Sequence, residues 1–332
     1  MLSVMTADSG TRDVQVDVVI PLFNKAGVIN RAVQSVLAQT YPHWTLVIVD
    51  DGSTDDWAVD VVDPRIVVVH QQNAGPGAAR NTGAARHDGR YIAFLDADDE
   101  WLPNYLEHLV GVLEADSSLA AASSSWFRGS ETDDVNAKFA ARGVHEGRWE
   151  LDPAAPAREF KMRVDSLHSS ATIVQRDVFE ALGGFYEKRA MFGEDSYLWT
   201  AVALTKPVFR SGEPLLRFHI DASSLSTGRT TPYPLPPIMT DPEALRAATV
   251  GTWEAYMPKY LEYYVPLILG RAIDEGIGGQ AFAYVSGDRL RALGLRPRVR
   301  WSIRARTLNT AMKTTARRRL RPASPAPQGA IR

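Results

Sequence analysis

A run of carboxylates follows a short apolar segment near residue 95. Residues 91–95 are apolar and too few for an ordinary helix, so they predict a buried β-strand. Asp96, Asp98 and Asp99 come directly after it. If the chain stays extended through Ala97, Asp96 and Asp98 fall on one side, where two carboxylates can share a hard divalent cation. The same residues also fit a polar turn in which Asp98 or Asp99 caps the next helix.

The elements around these acids follow an α/β pattern. Apolar runs and helical spacings predict strand, helix, strand, strand, helix, strand at 14–20, 28–39, 44–49, 66–69, 78–87 and 91–95. Short connections between such elements favour a Rossmann-like, mainly parallel sheet with helices on both faces. Ligands of these sheets bind outside the carboxyl ends of the strands, where Pro21, Asp51 and Asp96 all fall.

A glycine-bearing loop, Gly75-x-Gly77 with Gly83 further on, invites comparison with dinucleotide-binding loops. Its spacing is not G-x-G-x-x-G and it does not follow the first strand. We therefore reject a dinucleotide-binding function.

Composition excludes several classes of protein. The 332 residues carry a net charge of −2, are 45% hydrophobic and include no cysteine, so neither disorder, disulfides nor thiolate metal sites are expected. No apolar run could span a bilayer, residues 1–13 do not look like a signal peptide, and the seven histidines show no zinc-like pairing. We expect a cytoplasmic protein.

Five motifs occur together and in order in the first 100 residues, and they resemble family 2 glycosyltransferases, which have the GT-A fold. They are Val18-Val19-Ile20-Pro21-Leu22-Phe23-Asn24, Gln39-Thr40-Tyr41-Pro42, Val49-Asp50-Asp51-Gly52-Ser53-Thr54-Asp55, Asn73-x-Gly75 with Ala79-Arg80-Asn81-x-Gly83, and Phe94-Leu95-Asp96-Ala97-Asp98-Asp99. The resemblance extends from about Val14 to Ser226.

The resemblance implies roles on the donor side. Asp51 would hydrogen-bond the nucleobase, Pro21 would line the same pocket, and Arg80 would lie near the nucleotide. Asp96 and Asp98 match the family's Asp-x-Asp, with Asp98 the direct ligand of Mn²⁺ or Mg²⁺ and Asp96 near the ribose or a metal-bound water. For Asp51 an Asx-type turn is the alternative.

Roles on the acceptor side follow from Glu194-Asp195 at the start of a predicted helix. Acids there also complement the helix dipole. The resemblance implies that Asp195 is the catalytic base and Glu194 a supporting residue. His219, at the end of a predicted closing strand, is either a metal ligand or structural.

The C-terminal third has a different character. We predict a flexible N-terminus at 1–13, a GT-A catalytic domain at 14–228, a proline-rich connector at 229–242, a helical region at 243–321 and a disordered tail at 322–332. Between Arg289 and Arg321 the charged residues are all basic, on an imperfect amphipathic helix. That helix either lies on an anionic membrane surface or packs on the domain. No nucleic-acid fold motif accompanies the charge.

Together these features predict a metal-dependent, inverting glycosyltransferase that uses a nucleotide-diphospho-sugar, by default a UDP-sugar, and acts on a glycan or lipid-linked acceptor in cell-envelope synthesis. Pro297 stands where processive relatives carry a glutamine, so we expect one transfer per acceptor. The alternatives are a sugar nucleotidyltransferase, which would want a glycine-rich phosphate loop after the first strand, and a nucleotide-sugar-binding module without turnover.

Overall fold

The computed structural model describes residues 14–130, 132–188, 190, 192–220, 234–275, 278–293 and 295–320. They form two compact units, the first built from described residues up to Tyr256 and the second from those beginning at Met257. The predicted termini, 1–13 and 322–332, lie outside the described residues.

The first unit is built on a mixed sheet with the order β3-β2-β1-β4-β8-β6-β9-β5, and β7 pairs with β9. Its strands are β1 Val16–Leu22, β2 Trp44–Asp50, β3 Ile66–His70, β4 Tyr91–Phe94, β5 Glu100–Trp101, β6 Ala121–Arg128, β7 Gly147–Trp149, β8 Thr172–Gln175 and β9 Val208–Phe218. Strands β3, β2, β1 and β4 are all parallel. Strand β8 pairs antiparallel with both β4 and β6. The α/β prediction is confirmed, with the parallel character concentrated in the N-terminal half.

Helices cover both faces of the parallel half. Val18 and Ile20 of β1 lie in one apolar cluster with Val33 of the first helix. Val19, between them, faces the opposite way, and a Cβ on Gly83 of the second helix would lie 2.3 Å from its Cγ1. The helices are α1 Ile29–Leu37, α2 Pro76–Ala84, α3 Tyr105–Ala115, α4 Val135–Ala140, α5 Ala157–Asp165, α6 Arg176–Ala181, α7 Glu194–Thr205, α8 Pro237–Thr240, α9 Glu243–Ala248, α10 Val250–Asp274, α11 Gly278–Ser286, α12 Arg289–Ala292 and α13 Pro297–Leu320.

The proline-rich segment differs from its prediction as an extended connector. Residues 229–233 lie outside the described residues, but Pro237–Thr240 form the short helix α8. Proline is well tolerated in a first helical turn, where its missing N–H would have no partner anyway.

The second unit is helical. In α13, Val299, Ile303, Thr307 and Ala311 form a buried stripe with a spacing of four residues, whereas Trp301, Leu308 and Met312 are exposed. The Arg304 Nε donates to the Val285 carbonyl at 2.6 Å and ties α13 to α11. No helix among the described residues is both long enough and apolar enough to cross a membrane.

Candidate active site

The carboxyl ends of three parallel strands meet at one edge of the sheet. Strand β1 ends beside β2, with Leu22 opposite Asp50, and the Leu95 amide donates to the Val19 carbonyl at 3.0 Å just beyond β4. Pro21, Asp51 and Asp96 therefore lie at the same edge, as predicted from strand order.

The chain turns immediately after Leu95 instead of staying extended. The Asp99 amide donates to the Asp96 carbonyl at 2.9 Å, which closes a four-residue turn with Ala97 and Asp98 at its centre. The assumption of an extended backbone through Ala97 is wrong. A turn brings its first and last side chains together, so Asp96 is grouped with Asp99 rather than with Asp98.

Asp96, Asp99 and His168 form a cluster that could hold a metal ion. One potential ligand atom from each lies within 4.8 Å of the others. Asp99 is 1% exposed, and neither of its carboxylate oxygens has a hydrogen bond of normal geometry among the described residues. Such an unpaired buried carboxylate is costly without a cation or a proton. The oxygen and nitrogen donors suit a divalent cation of the Mn²⁺ type.

The other two predicted metal ligands have protein partners. The Asp98 carboxylate accepts from the Lys25 Nζ at 2.7 Å. The His219 Nε2 lies 3.3 Å from a carboxylate oxygen of Glu100, which also binds Arg217 at 2.9 Å. Sequence reasoning missed His168, because no local pattern marks a single histidine as a ligand, and it left Asp99 out by assuming an extended strand end.

Arg80 joins the cluster of Asp96, Asp99 and His168, called the metal cluster below, to the predicted catalytic acids. Its Nη2 donates to Asp96 Oδ1 at 2.7 Å and its Nη1 to Glu194 Oε1 at 3.0 Å. The side chain is almost fully buried, and its Cζ lies 5.0 Å from the centre of the Phe185 ring. Burial alone would lower the pKa of Arg80, but Asp96 and then Glu194 raise it above its ordinary value. The guanidinium therefore stays charged.

The acids of the cluster differ in their tendency to ionise. Burial favours the protonated form of Asp96, but Arg80 and then His168 hold its pKa below the ordinary value. Burial, then Asp96 and Asp98, raise the pKa of Asp99 well above its ordinary value, against smaller opposing contributions from Ser170 and the His219 backbone. Burial also lowers the pKa of His168, although Asp96 and Asp195 oppose this. A neutral imidazole, the form that binds metals, is favoured.

The predicted base, Asp195, lies in the first turn of α7. Its Oδ1 accepts from the Ser196 amide at 2.6 Å and from the Ser196 hydroxyl at 3.3 Å. Among the described residues its Oδ2 makes no hydrogen bond. Burial and then Asp195 raise the pKa of Glu194 to about 7, despite Arg80. A carboxyl group with a raised pKa is a common feature of acid–base sites.

Asp51 organises the glycine loop that precedes α2. Its carboxylate accepts from Gln71 Nε2 at 2.8 Å, from the Ala74 amide at 2.8 Å and from the Gly75 amide at 2.9 Å. The Asx-type turn is made by Asp50, whose Oδ1 accepts from the Ser53 amide at 2.9 Å, whereas Asp51 bonds the distant loop 71–75. Gly75 has φ +95°, and a Cβ on Gly77 would lie 2.2 Å from the Tyr186 carbonyl. Gly75 allows a backbone conformation with positive φ, and Gly77 allows the close approach of the Tyr186 carbonyl.

Comparisons with known proteins agree with this arrangement. Residues 17–183 match the family described as Glycosyl transferase family 2. An uncharacterized glycosyltransferase of Rickettsia felis is 30% identical over 198 residues, covering 58% of this chain and 30% of the relative. The Escherichia coli protein WfgD, named UDP-Glc:alpha-D-GlcNAc-diphosphoundecaprenol beta-1,3-glucosyltransferase, is 38% identical over 105 residues, covering 30% of this chain and 42% of WfgD. The chain spans less than half of these relatives' length.

A solved structure shares the fold. The crystal structure of S. aureus TarS 1–349 in complex with UDP-GlcNAc superposes with a TM-score of 0.58 at 16% identity, covering 92% of this chain and 91% of that one. The sheet, its ligand edge and this likeness define a domain of the GT-A type. Because the family match covers about half of the chain, the chain belongs to glycosyl transferase family 2, a family of sugar-transferring enzymes.

Proposed function

We propose that the protein is a metal-dependent, inverting and non-processive glycosyltransferase. It moves one sugar from a nucleotide-diphospho-sugar to an acceptor hydroxyl in the synthesis of a cell-envelope glycan or glycolipid. One observation carries the proposal: Arg80 makes ion pairs with both Asp96 and Glu194, so the cluster fit for a metal is joined by one buried network to Glu194, the chain neighbour of the candidate base Asp195.

The donor is proposed to bind at the strand edge. Asp51 and the neighbouring Pro21 would contact the nucleobase side, and Arg80 would hold the nucleotide end through its fixed charge. A UDP-sugar is the proposed donor, because TarS 1–349 was crystallised with UDP-GlcNAc and the name of WfgD specifies UDP-Glc.

The proposed metal residues are Asp96, Asp99 and His168, in place of Asp98 and His219. The unpaired buried oxygens of Asp99 are the observation that fits a cation there. A divalent ion such as Mn²⁺ or Mg²⁺ supplies charge neutralisation for the departing nucleotide diphosphate. His168 Nδ1 accepts from the Ser170 amide at 3.2 Å, so a metal bound through Nδ1 would replace this hydrogen bond.

Asp195 is the proposed general base. Its Oδ2 would accept the proton of the attacking acceptor hydroxyl, while the Ser196 contacts fix Oδ1. Glu194 and Arg80 would position the start of α7 against the donor. A base on the opposite side of the sugar from the leaving group gives inversion.

A peripheral membrane contact is part of the proposal. Trp301, Leu308 and Met312 are exposed to 72%, 48% and 65% and lie on one face of α13. Exposed basic residues, among them Arg298, Arg304 and Lys313, lie on the same helix. An apolar stripe with basic neighbours fits the interface of an anionic bilayer. A lipid-linked acceptor, as the name of WfgD specifies for that enzyme, would be presented at such a surface.

Nucleotide release from UDP-, GDP- and dTDP-sugars, measured with Mn²⁺, with Mg²⁺ and with EDTA, tests the proposal. We expect release from one class of donor, lost in EDTA and restored by the metal. Release that EDTA does not affect would contradict metal dependence. Binding without release under every condition would favour the nucleotide-sugar-binding module. Pyrophosphate formation from a nucleoside triphosphate and a sugar 1-phosphate would favour the nucleotidyltransferase.

A further inference from the structure

We propose that a cavity beside the metal cluster binds an acidic acceptor, one that carries phosphate or carboxylate groups. The proposal rests on the glycosyltransferase function above and names the chemical class of its second substrate. The cavity has a volume of about 390 Å³. Ligand sites in proteins usually measure roughly 300–1,000 Å³, so the cavity is large enough for part of a glycan.

Part of the cavity lining is aromatic. Trp126, Phe139 and Phe218 line it, and the rings of Trp126 and Phe139 meet edge to face with centroids 5.6 Å apart. Flat apolar rings of this kind can pack against the C–H face of a sugar while leaving its hydroxyls free. The aromatic lining residues therefore suit a carbohydrate better than an extended peptide backbone, which needs hydrogen-bonding partners.

Another part of the cavity lining is basic. Arg128, Lys138 and Arg142 line it. Lys138 pairs with Asp133, whereas Arg128 and Arg142 are exposed and make no ion pair within 4.0 Å among the described residues. The planar guanidinium group matches the oxygens of a carboxylate or phosphate in two parallel hydrogen bonds. Two exposed arginines beside aromatic rings point to a sugar that carries negative charge.

His168 connects this cavity to the candidate active site. Its ring lines the cavity, with centroid distances of 5.4 Å to Trp126 and 5.6 Å to Phe218, and it also belongs to the cluster with Asp96 and Asp99. In addition, Asp165 interacts electrostatically with both Arg142 and Asp195. A ligand in the cavity would thus lie next to the groups proposed for the chemistry, as an acceptor must.

Calorimetric titration of the full chain tests the proposal with three probes. Trigalacturonate offers carboxylates, oligo(glycerol phosphate) offers phosphodiesters, and cellotriose is the neutral control. Each titration is run in EDTA and again with saturating UDP and Mn²⁺, which fill the donor site. We expect one or both acidic probes to bind in both buffers, at least about tenfold more tightly than cellotriose, and more weakly in high salt. The acidic probe that binds identifies the source of the charge.

The double variant Arg128→Gln/Arg142→Gln should weaken acidic binding by about tenfold or more, because it removes two charge-assisted contacts. Arg86→Gln is the control, because Arg86 is exposed but does not line the cavity. This substitution should leave the binding of the acidic probes unchanged. If the double variant does not fold by circular dichroism, the two single variants replace it, each with a smaller loss.

Three outcomes would overturn the proposal: cellotriose binding as tightly as the acidic probes, acidic binding that survives the substitutions, or displacement of the acidic probe by UDP and Mn²⁺. Failure of the wild-type protein to bind UDP with Mn²⁺ would count against the proposed function instead, and the titrations in EDTA would still report on the cavity.

Discussion

At the scale of single residues, Arg80 keeps one acid of the site, Asp96, ionised. Its guanidinium pairs with Asp96 and with Glu194. Burial is the chief cause of the raised pKa of Asp99 and of Glu194. A cation that bound at Asp99 would favour loss of that proton, because a nearby positive charge stabilises the carboxylate. Metal binding should therefore release a proton from this network.

Asp195→Asn tests the base directly. Asparagine keeps the shape of the side chain but cannot accept the proton of an acceptor hydroxyl, so we expect transfer to fall by roughly 10²–10⁴. Binding of UDP in the presence of Mn²⁺, measured by calorimetry, should be nearly unchanged. Ser196→Ala is the control, because it removes only the 3.3 Å hydroxyl contact with Asp195 and should transfer at close to the parental rate. If Asp195→Asn transferred sugar at the rate of the wild type, the assignment of Asp195 as the general base would be wrong.

Asp99→Asn and Asp98→Asn discriminate between the two candidate metal ligands. Asp99 has unpaired buried oxygens beside Asp96 and His168, whereas Asp98 already binds Lys25. We expect Asp99→Asn to weaken Mn²⁺ binding by at least about tenfold, and Asp98→Asn to have the smaller effect. Electron paramagnetic resonance of free Mn²⁺ measures both. The reverse ranking would favour the pair Asp96 and Asp98 proposed from the sequence.

At the scale of elements, the position of α2 depends on a glycine. A Cβ on Gly77 would lie 2.2 Å from the Tyr186 carbonyl and 3.4 Å from Glu194 Cγ. We expect Gly77→Ala to lower the free energy of unfolding by about 1–3 kcal/mol, as overpacking does, and to weaken UDP binding by displacing Arg80. Urea unfolding measures the first effect and calorimetry the second.

Gly111→Ala is the matched control for that substitution. Gly111 also lies within a helix, α3, but a Cβ there would meet nothing within 4 Å. We expect it to raise the free energy of unfolding by about 0.5–1 kcal/mol, the difference in helix propensity between alanine and glycine. Equal effects of the two substitutions would contradict the role of close packing at Gly77.

The elements explain how far the sequence could predict the site. Apolar periodicity located β1, β2, β3 and β4, because each is a mostly apolar run of four to seven residues, and strand order then placed Asp51 and Asp96 at one edge. It could not predict the grouping of Asp96 with Asp99, because a turn at Ala97 depends on the neighbours of the strand end. The predicted roles of Pro21, Asp51, Arg80, Glu194 and Asp195 remain predictions.

At the scale of the whole molecule, contacts between distant residues were beyond sequence reasoning. Arg176 Nη2 donates to Asp17 Oδ2 at 2.5 Å across 159 positions, and Asp17 also accepts from the Gly89 amide and the Thr45 hydroxyl. Asp17 is fully buried in β1. Likewise, the segment 126–164 shows no clear sequence pattern, yet it supplies most of the cavity proposed for the acceptor.

The exposed face of α13 gives a prediction for the intact protein. Among the residues of α13 whose side chains the structure describes, four basic ones are exposed: Arg298, Arg304, Arg306 and Lys313. Together they would contribute about 4 kcal/mol at an anionic surface, which corresponds to a dissociation constant near 1 mM. Partial burial of Trp301, Leu308 and Met312 would add about 4 kcal/mol and bring the constant to about 1 µM. The attraction of the basic residues alone is therefore too weak, and burial of Trp301, Leu308 and Met312 should decide whether the protein binds the membrane.

Co-sedimentation with vesicles measures this contribution. We expect the protein to bind vesicles that contain phosphatidylglycerol at low salt, to bind less at high salt, and not to bind pure phosphatidylcholine. Replacing Trp301, Leu308 and Met312 together by serine should abolish binding, whereas Val62→Ser, at a fully exposed apolar residue of the first unit, should leave it unchanged. If the wild type did not bind anionic vesicles at low salt, the membrane contact would have to be abandoned. If the triple variant bound as well as the wild type, the contact would have to be assigned to basic residues alone.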